Sequence, residues 1–204
     1  IINRINKSVQ KKMKKTLFLL IIFFCTISNI SAESIKRIVI GNADAKISII
    51  AFESLTCSHC ANFHKDVFPD LKKDYLDTGL AKIEFRHFPL DIAAFNASKV
   101  AQCNNDGDSK ILNSLFANQQ KWVKGSSAAE ANQNLRKFLE SEGFNIDFET
   151  CINDEKIEDF VLNDRIDGVK KFKVNSTPTI IINDKKFEKT LNYKNLKKAL
   201  EKLI

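Results

Sequence analysis

Two cysteines separated by two residues, in Cys57-Ser58-His59-Cys60, carry the strongest chemical signal in the chain. They fall between an apolar, β-branched run from Lys46 to Glu53 and a stretch in which Phe63, Val67, Leu71 and Tyr75 recur at three- and four-residue spacing. The first pattern reads as a buried strand and the second as a helix. Cys57 would then stand at a helix N-terminus, where backbone N–H groups lack intrahelical partners and the helix dipole is positive. Both features favour a thiolate, so Cys57 is expected to ionise more readily than an ordinary thiol and to be the attacking and attacked sulfur. Cys60, one turn further in, is near enough to close a disulfide and is better shielded, which suits a resolving cysteine. The imidazole of His59 can donate to a Cys57 thiolate or favour it electrostatically. A stabilised thiolate stabilises the reduced form and makes the disulfide the stronger oxidant, so Ser58 and His59 between the cysteines argue for disulfide donation.

Other uses of the pair are weaker. A zinc site could draw on Cys57, Cys60 and His64, but a second ligand pair is lacking nearby. Covalent haem attachment needs a histidine directly after the second cysteine, and Ala61 stands there. A purely structural disulfide would close too small a loop to stabilise much. No metal ligand set is therefore expected, and His64 and His87 read as surface or core filling.

A second segment, Val174-Asn175-Ser176-Thr177-Pro178-Thr179, directly precedes the apolar run Thr179 to Ile182. Proline is tolerated at the first residues of a strand. A cis Thr177-Pro178 bond would leave the Thr177 backbone free to pair with an extended substrate beside Cys57. A trans proline merely starting the strand fits the same residues.

These segments must be positioned by the elements around them. Ile35 to Ile40 reads as a shorter strand beside the one at 46–53, and Leu80 to Phe88 alternates as a further strand that Pro89 ends. Pro69 should kink or break the helix that follows Cys57. From Asp91 to about Phe172 the pattern is helical, with segments near 91–104, 108–121, 127–142 and 154–172 punctuated by Gly107, Gly125 and Gly143. After Thr179 to Ile182, Asp184-Lys185 reads as a turn and Lys186-Phe187 as the start of a returning strand. A helix from Asn192 to Ile204 closes the chain, with Leu196, Leu200 and Leu203 on one face. The order β, β, α, β, helical block, β, β, α predicts one α/β domain interrupted by an all-helical insertion, its βαβ unit at 46–88 right-handed with parallel strands.

The 204 residues hold 32 Lys and Arg against 25 Asp and Glu, a net charge of +7. Six of the basic residues and no acidic ones lie in 1–32, so 33–204 is close to neutral. Charge therefore gives no support to nucleic-acid binding. The leader itself has three parts: a basic stretch at Met13-Lys14-Lys15, an apolar run from Leu17 to Ile27, and small residues ending in Ala32. This is the pattern of a secretory signal peptide, with the true start expected at Met13. The apolar run is shorter than the ~20 residues of an ordinary membrane span, although an uncleaved anchor would also fit. Cys25 would leave with the leader. Cys57, Cys60, Cys103 and Cys151 remain, an even number, as suits paired cysteines in an exported protein.

Ser54 to His64 (SLTCSHCANFH) resembles the active-site region of the DsbA-like thiol oxidoreductases of bacterial envelopes. Asp77-Thr78-Gly79, Arg86-His87-Phe88-Pro89-Leu90-Asp91 and Ser176-Thr177-Pro178-Thr179 resemble further blocks of that family. The resemblance implies a thioredoxin fold, a central mixed sheet flanked by helices, with an inserted all-helical subdomain. The expected division is 1–32 upstream residues and signal peptide, 33–90 first part of the fold, 91–172 helical insertion and 173–204 second part. It also implies that Cys57 reacts, Cys60 resolves, and Pro178 is cis and packs across from the disulfide, preceded by Thr177. Ser58 departs from the commonest form of the motif, which has proline there. That change should keep the fold while altering redox potential and partner choice. Cys103 and Cys151, on different helices of the insertion, are expected to form a structural disulfide because an exported protein oxidises such pairs readily. Two buried free thiols are the alternative.

The expected activity is that of an exported, periplasmic thiol:disulfide oxidoreductase. Its partners would be unfolded or partly folded exported proteins with free thiols, and a membrane-bound protein that reoxidises it. No bound cofactor is expected, because the cysteine pair carries the electrons. A disulfide isomerase or reductase of the same fold is the nearest alternative. Such isomerases usually carry an extra oligomerisation segment, and the dozen or so residues between Ala32 and Lys46 leave no room for one, so a monomer is expected. A metal-binding or chaperone-like module is the alternative of a different class.

Overall fold

The computed structural model describes residues 35–103, 105, 107 and 110–204; the leader expected over 1–32, with Met13 and Cys25, lies outside the described residues. The sheet is organised around β2 (Ile47–Glu53), whose seven residues are buried except for the partly exposed Ser48. A strand apolar on both faces needs cover on both and partners along both edges. β3 (Ala81–His87) pairs with it in parallel, Ile47 opposite Ala81 through Glu53 opposite His87. β4 (Thr179–Ile182) pairs antiparallel on the other side, Phe52 opposite Thr179. β5 (Lys185–Lys186) extends that side, and β1 (Ile38–Gly41) lies outside β3, antiparallel, giving the order β1-β3-β2-β4-β5. The first strand therefore does not lie beside β2 as expected. Both edges of β2 are taken, and β1, with only Ile38 fully buried, occupies the sheet margin.

The helices follow the sequence pattern with local differences. α1 (Ser58–Asp66) ends before Pro69, which lies in the first turn of the separate short helix α2 (Phe68–Leu71), and a π-helical turn continues over Lys72–Leu76. Between β3 and β4 come α3 (Ile92–Cys103), α4 (Lys110–Ala117), α5 (Gln119–Trp122), α6 (Ala128–Ser141), α7 (Phe148–Asn153) and α8 (Glu155–Phe172). The helix expected over 108–121 is broken at Asn118, whose backbone leaves helical geometry. α7 had no expected counterpart; Asp147 caps it by accepting from the Thr150 N–H. α9 (Tyr193–Leu200), capped by Asn192, stops short of the expected end, and Leu203 lies beyond it, exposed.

Strand alternation divides the core. Ile47, Ile49 and Ala51 face the larger cluster with Phe63, Val67 and Leu71, together with Leu196 and Leu200 of α9. That cluster runs on without interruption to Trp122, Leu135 and Phe148, so the inserted helices share one core with the sheet. Ile50 and Phe52 face the opposite side, with Phe88, Val174 and Ile181. α8 covers this side through Gly168, where a Cβ would come within 2.9 Å of the Phe52 ring. Asp164 of the same helix, fully buried, accepts from Arg37 and from the His87 backbone N–H, tying α8 to β3.

Cys103, the last residue of α3, is bonded to Cys151 of α7, with the Cα atoms 5.5 Å apart and a sequence separation of 48. Lys99 works at the same junction, donating to the Ile152 carbonyl at 2.5 Å and to Glu158 at 3.0 Å. A cross-link over that length restricts the unfolded chain substantially. Replacing both cysteines by serine is expected to lower stability by about 2–4 kcal/mol in denaturant titration. An unchanged midpoint and slope would show that the bridge adds nothing.

Candidate active site

The end of β2 feeds directly into the redox pair. Ser54 and Leu55 are buried, and the Cys57 N–H donates to the Ser54 carbonyl at 3.0 Å, making a tight turn. Thr56 is held from outside by its hydroxyl, which donates to Asp91 at 2.6 Å. Cys57 is the N-cap residue of α1, with extended backbone, and its carbonyl accepts from the Cys60 and Ala61 N–H groups at 3.1 and 3.2 Å. Its side chain is half-buried, whereas Cys60 is fully buried; both are unbonded thiols. Because Thr179 pairs with Phe52, the residues just before β4 arrive beside the cysteines. The Thr177-Pro178 peptide is cis, and the Cys57 thiol donates to the Thr177 carbonyl at 3.4 Å.

These surroundings act oppositely on the two sulfurs. Cys57 is lowered from 9.0 to about 5. The largest cause is the hydrogen bond it receives from the Cys60 thiol, with further help from the Thr177 side chain and from the Cys60 and His59 backbone N–H groups, against the opposing effect of burial. The Thr177 hydroxyl is buried with no other hydrogen-bond partner among the described residues, which leaves it available to the sulfur. The Thr177 carbonyl favours the protonated thiol, because its bond is lost on ionisation, but the donors outweigh it. Cys60 is pushed far up by burial first, then by its role as donor to Cys57 and by the charge of Glu53. One sulfur is thus nucleophilic and reachable, and the other keeps its proton.

His59 reaches Cys57 through its backbone N–H, while its exposed side chain lines a groove. Ser58 is the exposed first residue of α1. The groove encloses about 520 Å³ and runs past Pro178 between α1 and the start of α9. Phe63, Val67, Pro178 and Leu191 supply apolar lining, with His59 and Asn62 as polar neighbours. It leaves room for an extended segment beside Thr177 and Pro178.

Glu53 was not among the residues singled out from sequence. It is buried beneath the pair, on the same strand face as Ile49 and Ala51, and its Oε2 lies 2.8 Å from His64 Nε2. Burial raises its pKa more than His64 lowers it. His64, expected to fill surface or core, is stacked on Phe116 of α4 with ring centroids 4.1 Å apart. The available sequence signal for Glu53 was its odd-numbered parity with Ile47, Ile49 and Ala51, which aims its side chain into the core under α1. His87 is buried too, on Gln102 Oε1 at 3.2 Å, with its pKa lowered by burial.

In the reduced, folded chain Cys57 is ionised above about pH 5, but in the unfolded chain only near 9.0. Its contribution to stability is therefore complete above 9.0 and is lost as pH falls through about 5. The stability advantage of the reduced protein over reduced Cys57→Ser is expected to shrink steadily from about pH 8 to about pH 4. A pH-independent difference would mean that the thiolate is not favoured by the fold.

The fold is shared with known proteins. A crystal structure of alpha-DsbA1 from Wolbachia pipientis superposes with a TM-score of 0.73 at 29% identity, covering 82% of this chain and 90% of that one. Disulfide bond formation protein D of Bacillus subtilis is 28% identical over 174 residues, 80% of this chain and 75% of that protein. A Rickettsia bellii relative is 28% identical over 170 residues, and the chain spans 64% of that relative's length. The match to the thioredoxin family model runs over residues 33–202, through both cysteines, Pro178 and every strand of the sheet, and the chain belongs to the thioredoxin family.

Proposed function

We propose that this chain is an exported thiol:disulfide oxidoreductase that donates a Cys57–Cys60 disulfide to folding proteins of the periplasm. The observation that carries the reading is the asymmetry of the pair: Cys57 half-buried at the N-cap of α1 beside a fully buried Cys60, surroundings that lower the first thiol and raise the second. Stabilising the Cys57 thiolate stabilises the reduced form, and so favours passing the disulfide on. The names of the Bacillus and Wolbachia relatives point the same way.

In this reading a substrate thiolate attacks Cys57 Sγ from the groove, and the Cys57–Cys60 bond breaks. Cys60 leaves with the electron pair and needs a proton. Glu53, whose buried carboxyl holds its proton more firmly than usual and whose charge acts on Cys60, is the proposed source. A second substrate thiolate then attacks the substrate sulfur of the mixed disulfide. Cys57 departs as its stabilised thiolate, and two electrons have passed from substrate to the pair. Thr177, with its backbone beside the sulfur, is the proposed contact for extended substrate, and Pro178 forms the adjoining wall. A membrane-bound partner would reoxidise the cysteines, with no bound cofactor required, and the protein would act as a monomer. The leader at 1–32 would direct export, and Cys103–Cys151 would serve structure alone.

Incubation with a reduced, unfolded secretory protein tests this. The oxidised chain should convert substrate thiols to disulfide stoichiometrically, Cys57→Ser should be inert, and Cys60→Ser should accumulate a mixed disulfide through Cys57. Glu53→Gln should slow the first exchange roughly tenfold or more, most at neutral pH, while leaving the fold intact. Reshuffling of scrambled disulfides without net oxidation would assign the chain to isomerisation instead.

A further inference from the structure

The helical block reaches the active-site turn with one side chain that the mechanism above leaves unused. Gln119 Nε2 donates to the Leu55 carbonyl at 2.7 Å and to the Cys57 carbonyl at 2.9 Å. Both acceptors are carbonyl oxygens, so only the amide nitrogen can satisfy them, and the orientation of the carboxamide is determined. The two bonds bracket Thr56 and use both hydrogens of the amide. Gln119 itself is well anchored. It opens α5 at the corner where Asn118 donates to the Ser114 carbonyl, by its backbone at 3.1 Å and its side chain at 3.0 Å. Trp122, fully buried, closes the same turn by donating its indole N–H to the Leu115 carbonyl at 2.9 Å.

We propose that Gln119 is a positioning residue for the redox pair: by clamping the Leu55 and Cys57 carbonyls it sets how strongly the Cys57–Cys60 disulfide oxidises its partners. This rests on the reading of the pair as a disulfide donor. The direction of the Cys57 carbonyl is coupled to how the next peptides turn into α1, and those peptides supply the His59 and Cys60 N–H groups that point at the sulfur. A carbonyl that accepts from Gln119 is also less negative toward a neighbouring thiolate. Both effects favour the ionised sulfur, and both come from an element outside the β2–α1 unit. The oxidising strength of the pair is then shared between the sheet domain and the inserted helices.

The test compares Gln119→Met, which keeps length without donors, and Gln119→Asn, which keeps the amide but falls one methylene short, with wild type. The readouts are the glutathione ratio at half-oxidation and the pH midpoint of thiolate absorbance. Trp122→Phe serves as the control, loosening the same corner without touching the two carbonyls. The Gln119 variants are expected to move the half-oxidation point about fivefold toward more reducing buffer and to raise the thiolate midpoint, in keeping with loss of one or two hydrogen bonds. Trp122→Phe should lower the melting temperature while leaving both readouts in place. Midpoints within twofold of wild type in whichever Gln119 variant folds, or a shift no larger than that of Trp122→Phe, overturn the proposal. Failure of the underlying reading is seen separately, because a wild-type pair that is itself reducing contradicts disulfide donation whatever Gln119 does.

Discussion

Of the groups around Cys57, the Cys60 thiol does most to lower it, by offering its one hydrogen to the ionised sulfur. That single bond ties the two sulfurs into opposite states, one ionised and one protonated, and most of the surrounding structure can be understood as keeping it so. Cys60 retains its proton because it is buried and because the charge of Glu53 resists a second anion there. Cys57 loses its own because the first turn of α1 and Thr177 offer further donors. A surface pair, with both sulfurs solvated, would lack this division and would react at either atom.

The division depends on strand parity and on register. β2 buries alternate residues on opposite faces, so Ile49, Ala51 and Glu53 look toward α1 while Ile50 and Phe52 look toward α8. The pairing of Phe52 with Thr179 then delivers the Thr177 carbonyl to the Cys57 sulfur. A one-residue slip in either pairing would exchange the two faces and dismantle the site. The inserted helices reach the same point twice, through the Phe116 ring stacked on His64 and through the Gln119 amide. They therefore touch the turn that carries the pair as well as sharing the core it rests on.

Much of this was legible in the residues. The Cys57–Cys60 spacing, the proline before a β-branched run, and the strands at 46–53 and 80–88 each carry a local signal that tertiary structure did not override. Resemblance supplied what local signals left open, above all the cis bond at Pro178. What escaped depends on contacts between distant segments. β1 lies beside β3 because β2 has no free edge, which its own four residues do not reveal. α7 is a six-residue helix whose cap, Asp147, looks like any turn aspartate in sequence. Gln119 is one polar residue in a helical stretch, and only the fold brings it within 3 Å of a carbonyl more than sixty positions away. Glu53 could have been found by strand parity, since a carboxylate on the core face of an apolar strand is costly unless it has a task.

The most direct measurement is the equilibrium redox potential of the Cys57–Cys60 pair against glutathione, with Cys57→Ser as the control that removes the signal. A stabilised Cys57 thiolate predicts an oxidising pair, near the about −120 mV typical of strong envelope oxidants. A value near about −270 mV, as in thioredoxin, would contradict the account, because it would mean that the donors around Cys57 do not favour the reduced form enough for the chain to give its disulfide away.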